Sequence, residues 1–388
     1  MSINPPRGMR DLLPVEKARR EQVLEHIRQV YRSRGFQEIE TPALEELSRL
    51  TSGQGGENEK LVFKVLKRGE ELDRAMTDGS ELADLGLRFD LTVPLTRYFA
   101  SNHSKLPRVL KAVQIGSVWR AERPQKGRYR QFLQCDIDVL GDESELAELE
   151  LITASLAALD AIGITNATIR VNDRRVLART LNSLGITAQE RAMIAIDKLD
   201  KIGLSGVQEE IEQTYGSEVA KSVAEWLQQT QEMSIPTELS WISKLANPSK
   251  VRFDPTLVRG MGYYTGAIFE IEHPSSSSSI GGGGRYDNMV GKWSGIQTPA
   301  TGISLGIERI LDLLGESEKD EKSLVLLVED DYAAALKAQA ELIEQGWKVR
   351  IEKAAKNTKA QLSELSEQGF SSFTQFKPGE KLDIRKLG

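Results

Sequence analysis

Apolar and polar positions alternate most clearly from Trp119 to Gly141, WRAERPQKGRYRQFLQCDIDVLG. Leu133, Cys135, Ile137 and Val139 fall on one face of a period-two strand; Arg130, Phe132, Gln134, Asp136 and Asp138 fall on the other. With the strand that runs into Arg120, this predicts an antiparallel hairpin. One of its faces would pack on a core and the other would meet a cavity or water. A second alternation runs from Gly86 to Tyr98, GLRFDLTVPLTRY. Leu87, Phe89, Leu91 and Val93 predict a strand whose other face carries Arg88, Asp90 and Thr92, and Pro94 suits the first turn of a following helix.

Helical spacing covers 15–34, where Val23, Ile27 and Val30 join Leu24 and Tyr31 in one stripe and Gly35 suits the C-terminal cap. It also covers 143–161. Short strands are predicted at 36–39 and 168–171. From Arg174 to about Leu245 the pattern is helical, with breaks at Gly185, Gly203 and Gly216. A helical block inside a strand-rich chain predicts an inserted subdomain. Strand character returns at Val251 and within 257–272. Ala300 to Leu305 predicts a strand entering a helix over 306–314, with Ile307, Ile310, Leu311 and Leu314 on its buried face. After the charged linker GESEKDEKS (315–323), strands at 324–328 and 347–351 alternate with helices at 332–345 and 358–368. With strand-like pieces near Phe373 and Leu382, they predict a small α/β unit.

Charge sharpens this picture. The chain has 388 residues and a net charge of −6, which argues against bulk electrostatic binding of nucleic acid. Yet the hairpin loop gathers Arg120, Arg123, Lys126, Arg128 and Arg130 around the lone acid Glu122. A cationic loop beside a polar strand face points to an anionic ligand such as phosphate or nucleic acid. A hairpin with a solvated basic tip fits the pattern as well. Asp90 and Thr92, two apart on a strand face, can jointly hold an ammonium group; a solvated face is the plain alternative. Arg309, in the first turn of its helix, opposes the helix dipole, and a bound anion would remove that conflict. The glycines at 281–284 let backbone approach a ligand or another chain closely, although no GxxxxGK(S/T) or GxGxxG pattern is present.

Other chemistries are disfavoured. Three dispersed histidines lack zinc spacing, so no protein-only metal site is expected. The single cysteine, Cys135, lies on the apolar strand face and reads as a buried, inert thiol. No apolar run approaches the ~20 residues that span a bilayer. The N-terminus, MSINPPRGMRDLLP, has no apolar signal core, so a cytoplasmic location is expected.

Five stretches, in order, resemble the histidyl-tRNA synthetase family of class II aminoacyl-tRNA synthetases. RGMRDLLP (7–14) resembles the family's opening, and WRAERPQKGRYRQF resembles motif 2 in its histidyl form. RGMGYYTG (259–266) and GGGGRYDN (281–288) resemble the two histidine-specific segments. PATGISLGIERILDLL (299–314) resembles motif 3, and Gly35 to Pro42 matches motif 1 more loosely. The resemblance covers about 5–315 well and the remainder more faintly.

The resemblance implies an α+β fold: a six-stranded antiparallel catalytic sheet with flanking helices, in a homodimer joined through motif 1. The implied domains are a catalytic domain over 1–172 and 249–315, a helical insertion at 173–248, and a truncated anticodon-binding-like α/β domain at 323–388. It implies ATP-dependent activation of L-histidine, with Mg2+, and transfer to histidine tRNA. Arg120 and Arg259 would be catalytic. Asp90, Thr92, Arg120, Gln134, Asp138, Arg259, Tyr263 and Tyr264 would bind histidine. Arg120, Glu122, Arg130 and Arg309 would bind ATP, and Gln125 would meet the tRNA acceptor end. Gly262 stands where the family usually has aspartate, which puts a contact near the tyrosines in question. Two other functions remain open: a catalytically silent paralogue serving as the histidine-sensing regulatory subunit of ATP phosphoribosyltransferase, and a synthetase-like enzyme that charges another acceptor.

Overall fold

The computed structural model describes residues 3–51, 58–124, 127–230, 233–259, 262–315 and 322–387, apart from the side chains at 58, 59, 293 and 294. The chain forms two compact units, Met1–Arg10 with Val23–Leu314 and Asp11–Gln22 with Gly315–Gly388. In chain order the strands of the larger unit are β1 (Gln37–Glu38), β2 (Leu44–Glu46), β3 (Lys64–Leu66), β4 (Ala83–Leu87), β5 (Leu110–Trp119), β6 (Gln131–Leu140), β7 (Thr168–Asp173), β8 (Val251–Phe253), β9 (Ala267–Glu272), β10 (Gly281–Arg285) and β11 (Ala300–Gly306). The smaller unit contains β12 (Ser323–Val328), β13 (Lys348–Lys353), β14 (Ser372–Gln375) and β15 (Arg385–Lys386).

The hairpin expected from the alternation forms from β5 and β6, paired from Leu110 opposite Leu140 to Trp119 opposite Gln131. It lies in an eight-stranded sheet of order β1-β5-β6-β11-β10-β9-β7-β8. This corrects the expected purely antiparallel, six-stranded sheet. The run from β5 to β7 is antiparallel throughout. However, β1 adds parallel to β5, and β8 adds parallel to β7. These edge strands are two and three residues long, too short for periodicity to reveal their pairing. Parallel neighbours also need a crossover connection. The helical block between Asp173 and Val251 is that crossover from β7 to β8.

One sheet face carries the core. Leu133, Cys135, Ile137 and Val139 pack with Val23, Leu24, Ile27 and Tyr31 of the first helix, with Leu151 and Ala158 of helix Leu146–Ala161, and with Ile307 and Ile310 of helix Ile307–Leu314. The crossover helices Arg174–Ser183, Glu190–Ile196, Leu199–Tyr215 and Ser217–Gln229 build their own core from Leu177, Leu181, Val207, Ile211 and Val223. The three predicted glycine breaks all have positive φ, and Gly203 (φ 68°) kinks the helix that contains it.

The second alternation is a strand only up to Leu87. Asp90 then accepts a hydrogen bond from Val93 N (3.0 Å), one of the free donors in the first turn of helix Thr92–Asn102. A local side-chain-to-backbone bond therefore overrides strand pairing here. In the smaller unit β12 runs parallel to both β13 and β14. Val325 and Leu327 pack on one face and Leu326 and Val328 on the other. This explains the unbroken apolar run LVLLV.

Ile137 is fully buried at the centre of the larger core. Ile137→Ala should cost about 2–5 kcal/mol, seen as a lowered urea midpoint. An unchanged midpoint would contradict this packing.

Candidate active site

The polar side of the sheet is the floor of a pocket. Gln134, Asp136 and Asp138 of β6 stand opposite Gly306, Ser304 and Gly302 of β11. Next across, β10 sets Gly282 and Gly284 opposite Ser304 and Gly302. Gln134 and Asp138 thus face glycines, and Asp136 faces the small side chain of Ser304. A Cβ on Gly302 would collide with the Asp138 carboxylate, and one on Gly282 with the Arg259 guanidinium. The pocket encloses about 530 Å3 of empty space, open mouth included.

All eight side chains expected to bind histidine line this pocket, from β6, the turn into helix Thr92–Asn102, the end of β5 and the segment before β9. Tyr286 donates to Asp138 Oδ1 at 2.6 Å, and Tyr263 donates to Asp90 Oδ2 at 3.4 Å. The Tyr263 ring meets those of Tyr264 and Tyr286 edge-on, with centroids 4.8 and 6.3 Å apart. Arg120 donates from Nε to Phe89 O (3.1 Å) and lies over the Phe132 ring.

Two unmet atoms state what the pocket lacks. Gln134 donates to Ser304 Oγ, but its buried Oε1 accepts nothing; the buried Nε of Arg259 likewise donates to nothing. Buried polar atoms ordinarily have partners. An orphan acceptor and an orphan donor in one pocket suit a ligand that carries both an ammonium group and an anionic group.

Electrostatics agree. Asp90 and Asp138 are each 3% exposed. Burial pushes the Asp90 carboxyl up to about 6, against the Val93 N–H and the Arg120 charge. Burial pushes Asp138 up to about 7; the Tyr286 hydrogen bond opposes this and the Asp90 charge adds to it. Asp136 is raised well above the carboxylate range by burial and then by Asp138. Such a floor favours a cationic ligand group. On the other side, Arg309 is lowered by burial and by the charges of Arg128, Arg120 and Arg259. Arginines pressed together this way are stabilised by phosphate.

The remaining expected residues lie elsewhere. Glu122 is exposed, and its main-chain oxygen accepts from Arg130 Nε at 2.9 Å. Arg309 donates to Ser279 O. Neither Glu122, Arg130 nor Arg309 lines the pocket. Gln125, Gly260 and Met261 fall outside the described residues. A side chain on Gly262 would meet open space. Asp136, Tyr286 and Ser304 line the pocket without having been assigned. Asp136 was legible in the β6 alternation, Tyr286 in GGGGRYDN and Ser304 in PATGISLGIERILDLL.

Comparison with known proteins gives the same picture. A family model described as histidyl-tRNA synthetase matches residues 8–310. A histidine–tRNA ligase of Leifsonia xyli subsp. xyli is 47% identical over 424 aligned positions, covering 99% of this chain and 98% of that protein. One from Aeropyrum pernix is 36% identical, covering 94% and 88%. The crystal structure of histidyl-tRNA synthetase from Nostoc sp. PCC 7120 superposes with a TM-score of 0.78 at 27% identity, covering 100% and 95%. The chain belongs to the histidyl-tRNA synthetase family. No described helix is long and apolar enough to cross a membrane.

The raised Asp138 carboxyl sets a pH dependence. Its folded value, about 7, lies above the ordinary ~3.9. Its contribution to stability is therefore fully present below about pH 4 and is lost as pH rises through about 7. Asp138→Asn keeps an acceptor for Tyr286 and never ionises. Relative to wild type, the ligand-free variant should gain about 1–3 kcal/mol between pH 5 and pH 8. Thermal melts at the two pH values test this, and an equal difference at both would contradict it.

Proposed function

We propose that this chain activates L-histidine with ATP to give histidyl-adenylate and then charges the 3′ end of histidine tRNA. The observation that carries this reading is the pocket with an orphan acceptor on Gln134 and an orphan donor on Arg259, lying between buried acids and clustered arginines. The histidine ammonium group is held by Asp90, Thr92 and Gln134. Its imidazole is read by Asp138 and Tyr264, since a buried acid and a hydroxyl can pair both ring nitrogens, and leaving them unpaired rejects other amino acids.

A carboxylate oxygen of histidine then attacks the α-phosphorus. The bond to the β-phosphate oxygen breaks, and pyrophosphate leaves with the electron pair. Arg120 and Arg259 offset charge on the transferring phosphoryl group, which is the main contribution a protein can make to this reaction. Arg309 faces the γ-phosphate, and Glu122 and Arg130 flank the nucleotide from the hairpin connection. Mg2+ would come with ATP, be held chiefly by phosphate oxygens, and offset phosphate charge, with Glu122 the acid that would engage ATP or its Mg2+. In the second step a ribose hydroxyl of the terminal adenosine attacks the carbonyl carbon and AMP leaves; Gln125 meets the acceptor end.

The same reading makes this a cytoplasmic class II enzyme working as a homodimer through motif 1. Residues 1–172 and 249–315 form its catalytic domain, 173–248 a helical insertion and 323–388 a short anticodon-binding domain.

Purified protein should charge histidine tRNA with labelled histidine in the presence of ATP. Arg259→Ala should cut adenylate formation by about 10²–10³-fold while histidine still binds. A variant with wild-type turnover would refute the role of Arg259. Histidine binding without charging in the wild-type protein would favour the silent paralogue.

A further inference from the structure

Arg259 lies over Gly282, and the sheet register shows what flanks it. One transverse row runs Arg170, Glu270, Gly282, Ser304, Asp136 across β7, β9, β10, β11 and β6. Ser304 and Asp136 belong to the pocket floor. Glu270 and Arg170 lie on the other side of the guanidinium and do not line the pocket. Glu270 Oε2 is 3.6 Å from Arg259 Nη1, and Glu270 Oε1 is 3.2 Å from Arg170 Nη1. Arg170 is fixed in turn by Asp254 (2.8 Å) and Glu272 (3.1 Å), with Asp200 of the crossover helices at 3.6 Å.

Glu270 therefore divides its charge between two arginines. Arg259 is also held by the Phe269 carbonyl, 3.2 Å from Nη1, and by a side-chain hydrogen bond with Tyr264. Against these stands the like charge of Arg309, which is lowered by burial and by the charges of Arg128, Arg120 and Arg259, while Glu270 opposes the shift. Glu270 and Asp197 supply the negative charge that faces Arg259. A close ion pair would sit at ~2.7–2.9 Å. At 3.6 Å the carboxylate, tied back by Arg170, steadies Arg259 without consuming its free edge.

We propose that Glu270 is a positioning residue for adenylate formation: with Arg170 behind it, it holds the Arg259 guanidinium over Gly282 and toward the reacting phosphate. The role rests on the histidine-activating reading above. Glu270 contacts Arg259 but does not line the pocket, so its removal costs rate rather than histidine affinity.

The test is a double-mutant cycle on the full-length protein, read by histidine-dependent ATP–pyrophosphate exchange and, separately, by calorimetric binding of histidine. Glu270→Gln should lower kcat by about 10–100-fold, since small misplacements of a reacting group cost this much. Its histidine Kd should stay within ~2-fold of wild type. In an Arg259→Ala background, Glu270→Gln should cause no further loss, because residues acting as one unit are non-additive. Arg170→Lys keeps the charge and loses the fork, so a smaller loss that also vanishes in that background is expected; this variant carries the test if Glu270→Gln does not fold. Equal losses in both backgrounds, or wild-type kcat in Glu270→Gln, would overturn the proposal. Wild-type exchange that survives Arg259→Ala would refute the role of Arg259, and absence of exchange in the wild type would refute the activating reading itself. The proposed role of Glu270 falls in either case.

Discussion

The site depends on missing side chains. Gly282 and Gly302 leave the sheet bare where Arg259 and Asp138 must lie flat on it. A methyl group at either position would lift a charged side chain off the floor. The loss would be direct, because interiors are close-packed and shift little. The cost of a glycine-rich strand is reduced β propensity. It is offset by neighbours on both sides, since β10 is paired along its length with β9 and β11. The strand least able to hold itself therefore lies inside the sheet, where pairing holds it.

Charge is then sorted by sign. Asp90, Asp136 and Asp138 are buried at one end of the pocket, where burial raises each carboxyl. Arg120 and Arg259 line the same pocket, and burial together with the charges of Arg128, Arg120 and Arg259 depresses Arg309, which does not line it. Both arrangements are unfavourable while the pocket is empty. A ligand with a cationic end and an anionic end relieves both, so the energy stored against folding becomes selectivity in binding.

The sequence revealed the parts that obey a strict period. Leu133 to Val139 and their polar partners had one arrangement that buries an apolar face, and the structure adopts it. The helix breaks at Gly185, Gly203 and Gly216 were legible because each glycine takes positive φ. The strand through Asp90 was misread because its alternation continues into a helix start, where Asp90 accepts from Val93 N in the first turn. Strands were expected at 36–39 and from Val251 and form there as β1 and β8, but their parallel pairing was not legible, because nothing local in so short a segment encodes a parallel partner. The side chains expected to bind histidine line the pocket, whereas Tyr286 and Ser304, though inside GGGGRYDN and PATGISLGIERILDLL, were not assigned; Ser304 enters through its register with Asp136. Long-range register is where a single sequence says least.

The central claim is that this pocket reads the histidine side chain and presents its carboxylate to ATP. The most direct measurement is ATP–pyrophosphate exchange by the wild-type protein, run separately with each of the standard amino acids and Mg2+. Exchange with histidine and negligible exchange with the others is the predicted result. No exchange with histidine, or comparable exchange with another amino acid, would contradict it.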